Sequence, residues 1–236
     1  MHAPPQVMNH NTDATVIDGS REQRAPRRPV EAPRLGRATA RAVGILFLAG
    51  FLTYGVGTAI ATSLVGSAGP RDAVFGAAAV AMLVNSAVVI GIGVLMFPIL
   101  QRHSRSIAVS YLVTRLVEGV GLAVGVLGLL SLSGPAAISA NFVAYNLAEA
   151  SLGIGSLLFT VLLFRSRLVP RFLAAWGFIG YAAMAAGSLL ELLGFAGAGM
   201  VSVIPGGLFE ITFSVWLIAR GFNRLALHAD TDNGRL

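Results

Sequence analysis

Arg115, Glu118, Glu149 and Glu210 are the residues of this chain best placed to do chemistry, because each falls inside a long stretch that is otherwise apolar. A carboxylate held away from bulk water can bind and release a proton, hold a cation, or act as a general acid or base. A guanidinium beside it serves as counter-charge or as an anion contact. Placing such a charge at the centre of a bilayer helix costs about 3 kcal/mol even on lenient insertion scales, so charged residues there face a bundle interior or a wet cavity. Tyr111, Thr114, Arg115 and Glu118 are spaced at i, i+3, i+4 and i+7, which places them on one helical face with Arg115 and Glu118 within reach of each other. Asn141, Tyr145, Glu149 and Ser156 form a second stripe, with Asn146 at its edge and Glu149 able to hydrogen-bond back to Tyr145. Counting 1.5 Å per residue puts Arg115, Glu118, Glu149 and Glu210 roughly 12 to 17 Å from a membrane edge, with Asn85 and Tyr54 near the same layer. If these faces converge, one arginine cannot neutralise three glutamates, and at least one carboxyl must be protonated or hydrated. The expected cluster is Arg115, Glu118, Glu149, Glu210, Asn85, Tyr145 and Asn146. A further glutamate, Glu191, falls near the end of its span, within reach of water.

The elements that must position these residues are membrane helices. Hydrophobic residues make up 55% of the chain and charged residues 12%, about half the charged content of a soluble domain. Six apolar runs are long enough for a hydrocarbon core about 30 Å thick, at about 42–64, 74–100, 107–132, 140–164, 172–193 and 202–220. The expected fold is therefore all-α, a bundle of six transmembrane helices over residues 39–222. Residues 1–38, rich in Arg and Pro and poor in aliphatics, read as a disordered tail, and 223–236 as a short C-terminal tail. The first run exceeds the 7–15 apolar residues of a cleaved signal peptide and is expected to remain as an anchor. Pro205-Gly206-Gly207 precedes Glu210 and either begins the last helix, where proline suits the first turn, or breaks it.

The chain has no lysine, and its arginines are unevenly spread. Fifteen fall in the tails and in the loops after spans two and four, and only Arg71 falls in the opposite loops. Positively charged segments stay inside, so both termini are expected in the cytoplasm of a multi-pass protein of a cell inner membrane or plasma membrane. The net charge of +6 then reports orientation and contact with anionic headgroups, without any need for nucleic acid.

Several chemistries drop out. Without cysteine there are no disulfides, thiol nucleophiles or cysteine-metal sites. His2, His10, His103 and His228 all lie in tails or a loop, so no histidine is expected to ligate a haem or metal within the bundle, and no cofactor is implied. Gly119-Val-Gly121-Leu-Ala-Val-Gly125 lies within a span with no preceding strand. Its Gly121-x-x-x-Gly125 spacing suits close helix packing better than a dinucleotide.

Four strings in order, Phe97-Pro-Ile-Leu-Gln-Arg102, Arg115-Leu-Val-Glu118, Phe164-Arg-Ser-Arg-Leu-Val-Pro-Arg171 and Trp216-Leu-Ile-Ala-Arg-Gly-Phe222, resemble the bacterial integral-membrane family numbered 4386 among domains of unknown function. The likeness spans about residues 36 to 224. It implies a multi-span membrane protein and assigns no activity, cofactor or catalytic residue.

Three functions suit these features. The first is a small-solute or ion carrier, proton-coupled through the buried carboxylates; six spans in one copy are few for a carrier, which pairs this reading with a homo-oligomer. The second is a non-catalytic component, such as a sensor, a partner subunit or a lipid-binding protein, in which Arg115 and Glu118 neutralise each other structurally. The third is an intramembrane enzyme acting on a lipid, although no paired acidic metal-binding motif accompanies it. The carrier is the leading expectation.

Overall fold

A computed structural model describes His2 and residues 32–67 and 71–223. The expected C-terminal tail beyond residue 223 and residues 3–31 of the expected N-terminal tail lie outside the described residues. The chain forms α1 (Ala32–Gly50), a π-helical turn (Phe51–Val56), α2 (Gly57–Gly66), α3 (Ala73–Leu100), α4 (Arg105–Ser131), α5 (Gly134–Ser166), α6 (Arg171–Leu192) and α7 (Ala198–Ala219). Because α1 begins at Ala32, the last seven residues of the expected tail, 32–38, are helical. Among the described residues six helical segments are long and apolar enough to cross a membrane: Gly36–Gly66, which joins α1, the π-helical turn and α2, and each of α3 to α7.

Consecutive helices α3 to α7 pack side by side, and α1 closes the ring by packing on both α7 and α3. Beyond the π-helical turn the partner changes, and α2 packs on α3 and α5. Small residues allow close approach between neighbours in a medium that supplies no hydrophobic drive between helices. Along α4, Gly121, Gly125 and Gly128 face Ala148, Asn141 with Ala144, and Ala140 of α5; a β-carbon at Gly128 would lie 2.8 Å from that of Ala140. The Gly121-x-x-x-Gly125 spacing is thus a helix-packing surface. Outward-facing positions such as Val80, Val94, Val120, Ile154 and Ile179 are exposed and apolar, as a lipid-facing surface requires.

Helix ends are satisfied locally. Asp72 accepts from the Val74 and Phe75 amides at 2.9 and 3.1 Å, capping α3. Arg71, the arginine that stands apart from the others, donates to the carbonyls of Leu130 and Leu132 at the end of α4, where a cation complements the helix dipole. Glu191 accepts from the Gly197 and Gly199 amides at 3.1 and 2.8 Å, holding the first turn of α7. Its place near a span end therefore serves a cap.

The last helix departs from both sequence expectations. It begins at Ala198 and runs unbroken through Pro205 to Ala219. Proline removes the ladder bond to the carbonyl of Val201, and neighbouring packing carries the helix across the gap. Gly206 supplies that packing: its Cα lies 3.0 Å from the point where a β-carbon on Gly180 of α6 would sit.

Candidate functional site

The ionic site begins with the 3.6-residue repeat of α4. Arg115 and Glu118 share a face, and the Arg115 Nη1 donates to Glu118 Oε2 at 2.8 Å. One turn earlier, the Tyr111 hydroxyl accepts from Arg115 Nε at 3.0 Å. Arg115 Nη2 lies 3.6 Å from Glu210 Oε1 on α7, beyond hydrogen-bond reach, and has no hydrogen-bond partner. The Phe47 ring of α1 lies 4.9 Å from the guanidinium carbon, a cation–π contact in a dry setting worth about 2 kcal/mol. Arg115 is only 1% exposed and Glu118 3%, so the guanidinium is held by protein groups on several sides. Glu210 in turn accepts a hydrogen bond from the Tyr181 hydroxyl of α6 at 2.8 Å.

Toward the arginine-rich end of the bundle, an aromatic layer closes beneath this cluster. Tyr111 stacks on Phe159 with centroids 4.3 Å apart, and Phe159 meets Phe213 edge-on at 6.1 Å. Phe213 also contacts Phe47 and stacks on Phe209. Toward the opposite end, α2, α3, α4 and α5 form an apolar cluster that includes Ala61, Phe75, Met82, Val126 and Leu129.

Between these layers lies a cavity of about 240 Å3 whose walls include Asn85, Arg115, Glu118, Tyr145, Glu149 and Glu210. Six of the seven residues expected to cluster therefore meet in one space. Asn146 is the exception: its amide nitrogen donates to the Phe142 carbonyl at 2.9 Å on its own helix, and its oxygen is turned to Gly199 at the start of α7. One residue's rotation around α5 is enough to carry it off the Glu149 face. The expected hydrogen bond from Tyr145 to Glu149 is also absent among the described residues. Tyr145 instead stacks on Tyr54, with centroids 5.5 Å apart and planes at 15°. Glu149, 8% exposed on α5, faces the cavity and makes no hydrogen bond among the described residues, and the buried Asn85 Oδ1 and Tyr54 hydroxyl are unpartnered.

Two contributors were not expected from sequence. Tyr181 is one of four aromatics in an apolar span, and only the tertiary contact with Glu210 distinguishes it. The other is the π-helical turn, whose Phe51 and Tyr54 line the cavity together with Gly50 and Gly55. The signal for it was present in Gly50, Gly55 and Gly57 around Thr53, whose hydroxyl donates to the Ala49 carbonyl at 2.8 Å. That back-bond competes with the α ladder, the glycines weaken it, and π-turns of this kind often occur at functional sites.

Among the described residues no group of three or more His, Cys, Asp or Glu side chains could hold a metal ion. The carboxylates border the cavity from different helices and share no single focus.

A family model described as Domain of unknown function (DUF4386) matches residues 42–221. That match covers most of the chain and the whole of the cavity, and the chain belongs to this family. No curated protein and no solved structure matches it.

Proposed function

We propose that this member of the DUF4386 family is a proton-coupled carrier for a small solute, with the cavity between the aromatic layer and the opposite apolar cluster as its binding site. The observation that supports it best is the charge balance of the cavity. Three carboxylates, Glu118, Glu149 and Glu210, share it with one guanidinium, Arg115, which is engaged by Glu118 and Glu210. Glu149 is left over. A buried polar group without a partner is costly, and a group held at such a cost is what a site for a moving proton requires. A purely structural ion pair accounts for Arg115 and Glu118 and leaves Glu149 and Asn85 without a reason.

A carrier must also move. The π-helical turn interrupts the first span, and Pro205 interrupts the ladder of the last, both beside the cavity. These are the places where helices bend with least loss of hydrogen bonding.

The proposed setting is the bacterial inner or plasma membrane, with both termini in the cytoplasm, following the arginine asymmetry. Arg167, Arg171 and Arg220 surround a groove of about 350 Å3 beside Trp216 at the arginine-rich end, which suits anionic headgroups.

The test is proton flux in proteoliposomes carrying an internal pH dye. Wild type is expected to release an imposed pH gradient in the presence of a transported solute, and Glu149→Gln is expected to hold it. Equal leakage by wild type, Glu149→Gln and empty liposomes across a solute panel would remove the carrier reading.

A further inference from the structure

We infer that the ligand of this cavity is a small organic cation with an apolar body, which enters sideways from the hydrocarbon between Phe51 and Gly207 and exchanges with a proton at Glu149. This deepens the carrier reading and rests on it for the direction of use, but its binding claim can be tested separately.

The cation follows from what the cavity offers. Its guanidinium is already engaged through Nε to Tyr111 and through Nη1 to Glu118, with Nη2 beside Glu210 and Phe47 near its centre. An anion would find that charge covered and three carboxylates around it. Arg115 Nη2 makes no hydrogen bond but faces Glu210 Oε1 at 3.6 Å, and the Tyr54 hydroxyl is also unpartnered; the remaining unsatisfied groups of the wall are acceptors. Glu149 has no hydrogen-bond partner among the described residues, and Asn85 Oδ1, on a residue only 4% exposed, has no donor. An ammonium brings several N–H donors and one positive charge, which meets both needs.

A bare metal ion does not fit, since among the described residues no three carboxylates converge on one point. The remaining lining is apolar or aromatic, including Phe47, Phe51, Tyr54, Val89 and Ile92. Such walls favour an apolar body, and aromatic faces attract an ammonium.

The route follows from how the first span packs. α1 packs on α7 and α3 and α2 on α3 and α5, and where they meet, Phe51 and Gly55 of the π-helical turn face Val203 and Gly207 of α7 across the cavity wall, which is where the inferred mouth lies. Phe51, 37% exposed, stands at this mouth, and a β-carbon at Gly207 would lie 3.5 Å from its ring. The flanking Leu52 and Leu208 are 67% and 51% exposed. Both are apolar and close to mid-span, so the mouth faces lipid chains.

Exchange keeps the charge balanced. When the ammonium pairs with the Glu149 carboxylate, the proton that occupied that carboxyl leaves to water, so one positive charge replaces another and no bond other than O–H is broken. The groups that share the cavity with Glu149 are Tyr54 of the π-helical turn, Asn85 of α3, Arg115 and Glu118 of α4, Tyr145 of α5 and Glu210 of α7. Of these carboxylates, Glu118 and Glu210 already have partners.

The experiment is equilibrium binding of radiolabelled phenethylamine to the full chain in nanodiscs, with phenylacetate and 2-phenylethanol as competitors. Saturable binding that weakens as pH falls from 8 to 6 is expected, with neither competitor displacing it at equal concentration. Glu149→Gln should reduce affinity at least tenfold and flatten the pH dependence, with an unchanged melting temperature showing that it folds. Asn85→Leu should weaken binding several-fold, and Gly207→Phe, which would fill the mouth, should slow association of the labelled amine. Preferential binding of phenylacetate, or wild-type affinity in folded Glu149→Gln, would overturn the inference. Glu149-dependent proton flux without amine binding would sink this inference and leave the carrier intact. Amine binding without flux would do the reverse.

Discussion

Arg115 on α4 reaches across the bundle to Glu210 on α7, with Nη2 3.6 Å from Oε1, while the same guanidinium donates to Glu118 at 2.8 Å. One cation thus links two helices that are far apart in sequence, and its removal leaves two carboxylates without their counter-charge. Arg115→Met is therefore expected to destabilise the protein by about 3–5 kcal/mol. Adding Glu118→Gln to it should recover part of that loss. Thermal unfolding of both variants in nanodiscs checks this, and a double variant no more stable than the single would contradict the shared-charge arrangement.

Glu149 predicts the opposite behaviour. It lines the cavity and has no hydrogen-bond partner to lose among the described residues, so Glu149→Gln is expected to leave the melting temperature unchanged or raise it, as is common when a functional group held at a stability cost is removed. The pH dependence of flux should vanish in the same variant. Melting curves and flux between pH 6 and 8, measured on one preparation, provide the comparison.

Tyr181 donates to Glu210 at 2.8 Å within the buried core. Tyr181→Phe deletes that donor with little change of shape, at a cost of about 1.5–3 kcal/mol for a hydrogen bond to a charged group. Because Glu210 lines the cavity, solute affinity should change as well. Unfolding and binding measured together would separate this from a purely structural hydrogen bond, which would alter only the first.

Glu191 caps α7 through the Gly197 and Gly199 amides. Replacement by Ala is expected to cost about 1 kcal/mol, the usual magnitude for a lost cap. It should leave cavity binding intact, since Glu191 is outside the cavity wall. A large loss of binding in a stable Glu191→Ala protein would show that the start of α7 is coupled to the site.

The absence of cysteine makes topology directly measurable. With both termini in the cytoplasm, Ser67→Cys should react with a membrane-impermeant maleimide in intact cells, and Gln101→Cys only after permeabilisation. The reverse pattern would invert the proposed orientation.

Sequence alone determined the number of spans, the alignment of Arg115 with Glu118, and the glycine face of α4, because each depends on hydrophobicity or on the fixed repeat of one helix. These are local quantities, unaffected by which helix lies next to which. Charge and depth were enough to anticipate that Asn85, Glu149 and Glu210 would share a layer, since a buried charge has few places to go. The tertiary structure decided which atoms meet. Tyr181 acquired its role only because α6 and α7 pack through Gly180 and Gly206, and Asn146 lost its expected place through a rotation of one residue on α5. The unbroken path of α7 through Pro205 depends on the same packing, which supports the helix where proline cannot. The π-helical turn likewise lies where the first span changes partners, a choice among competing neighbours that no single stretch of chain contains.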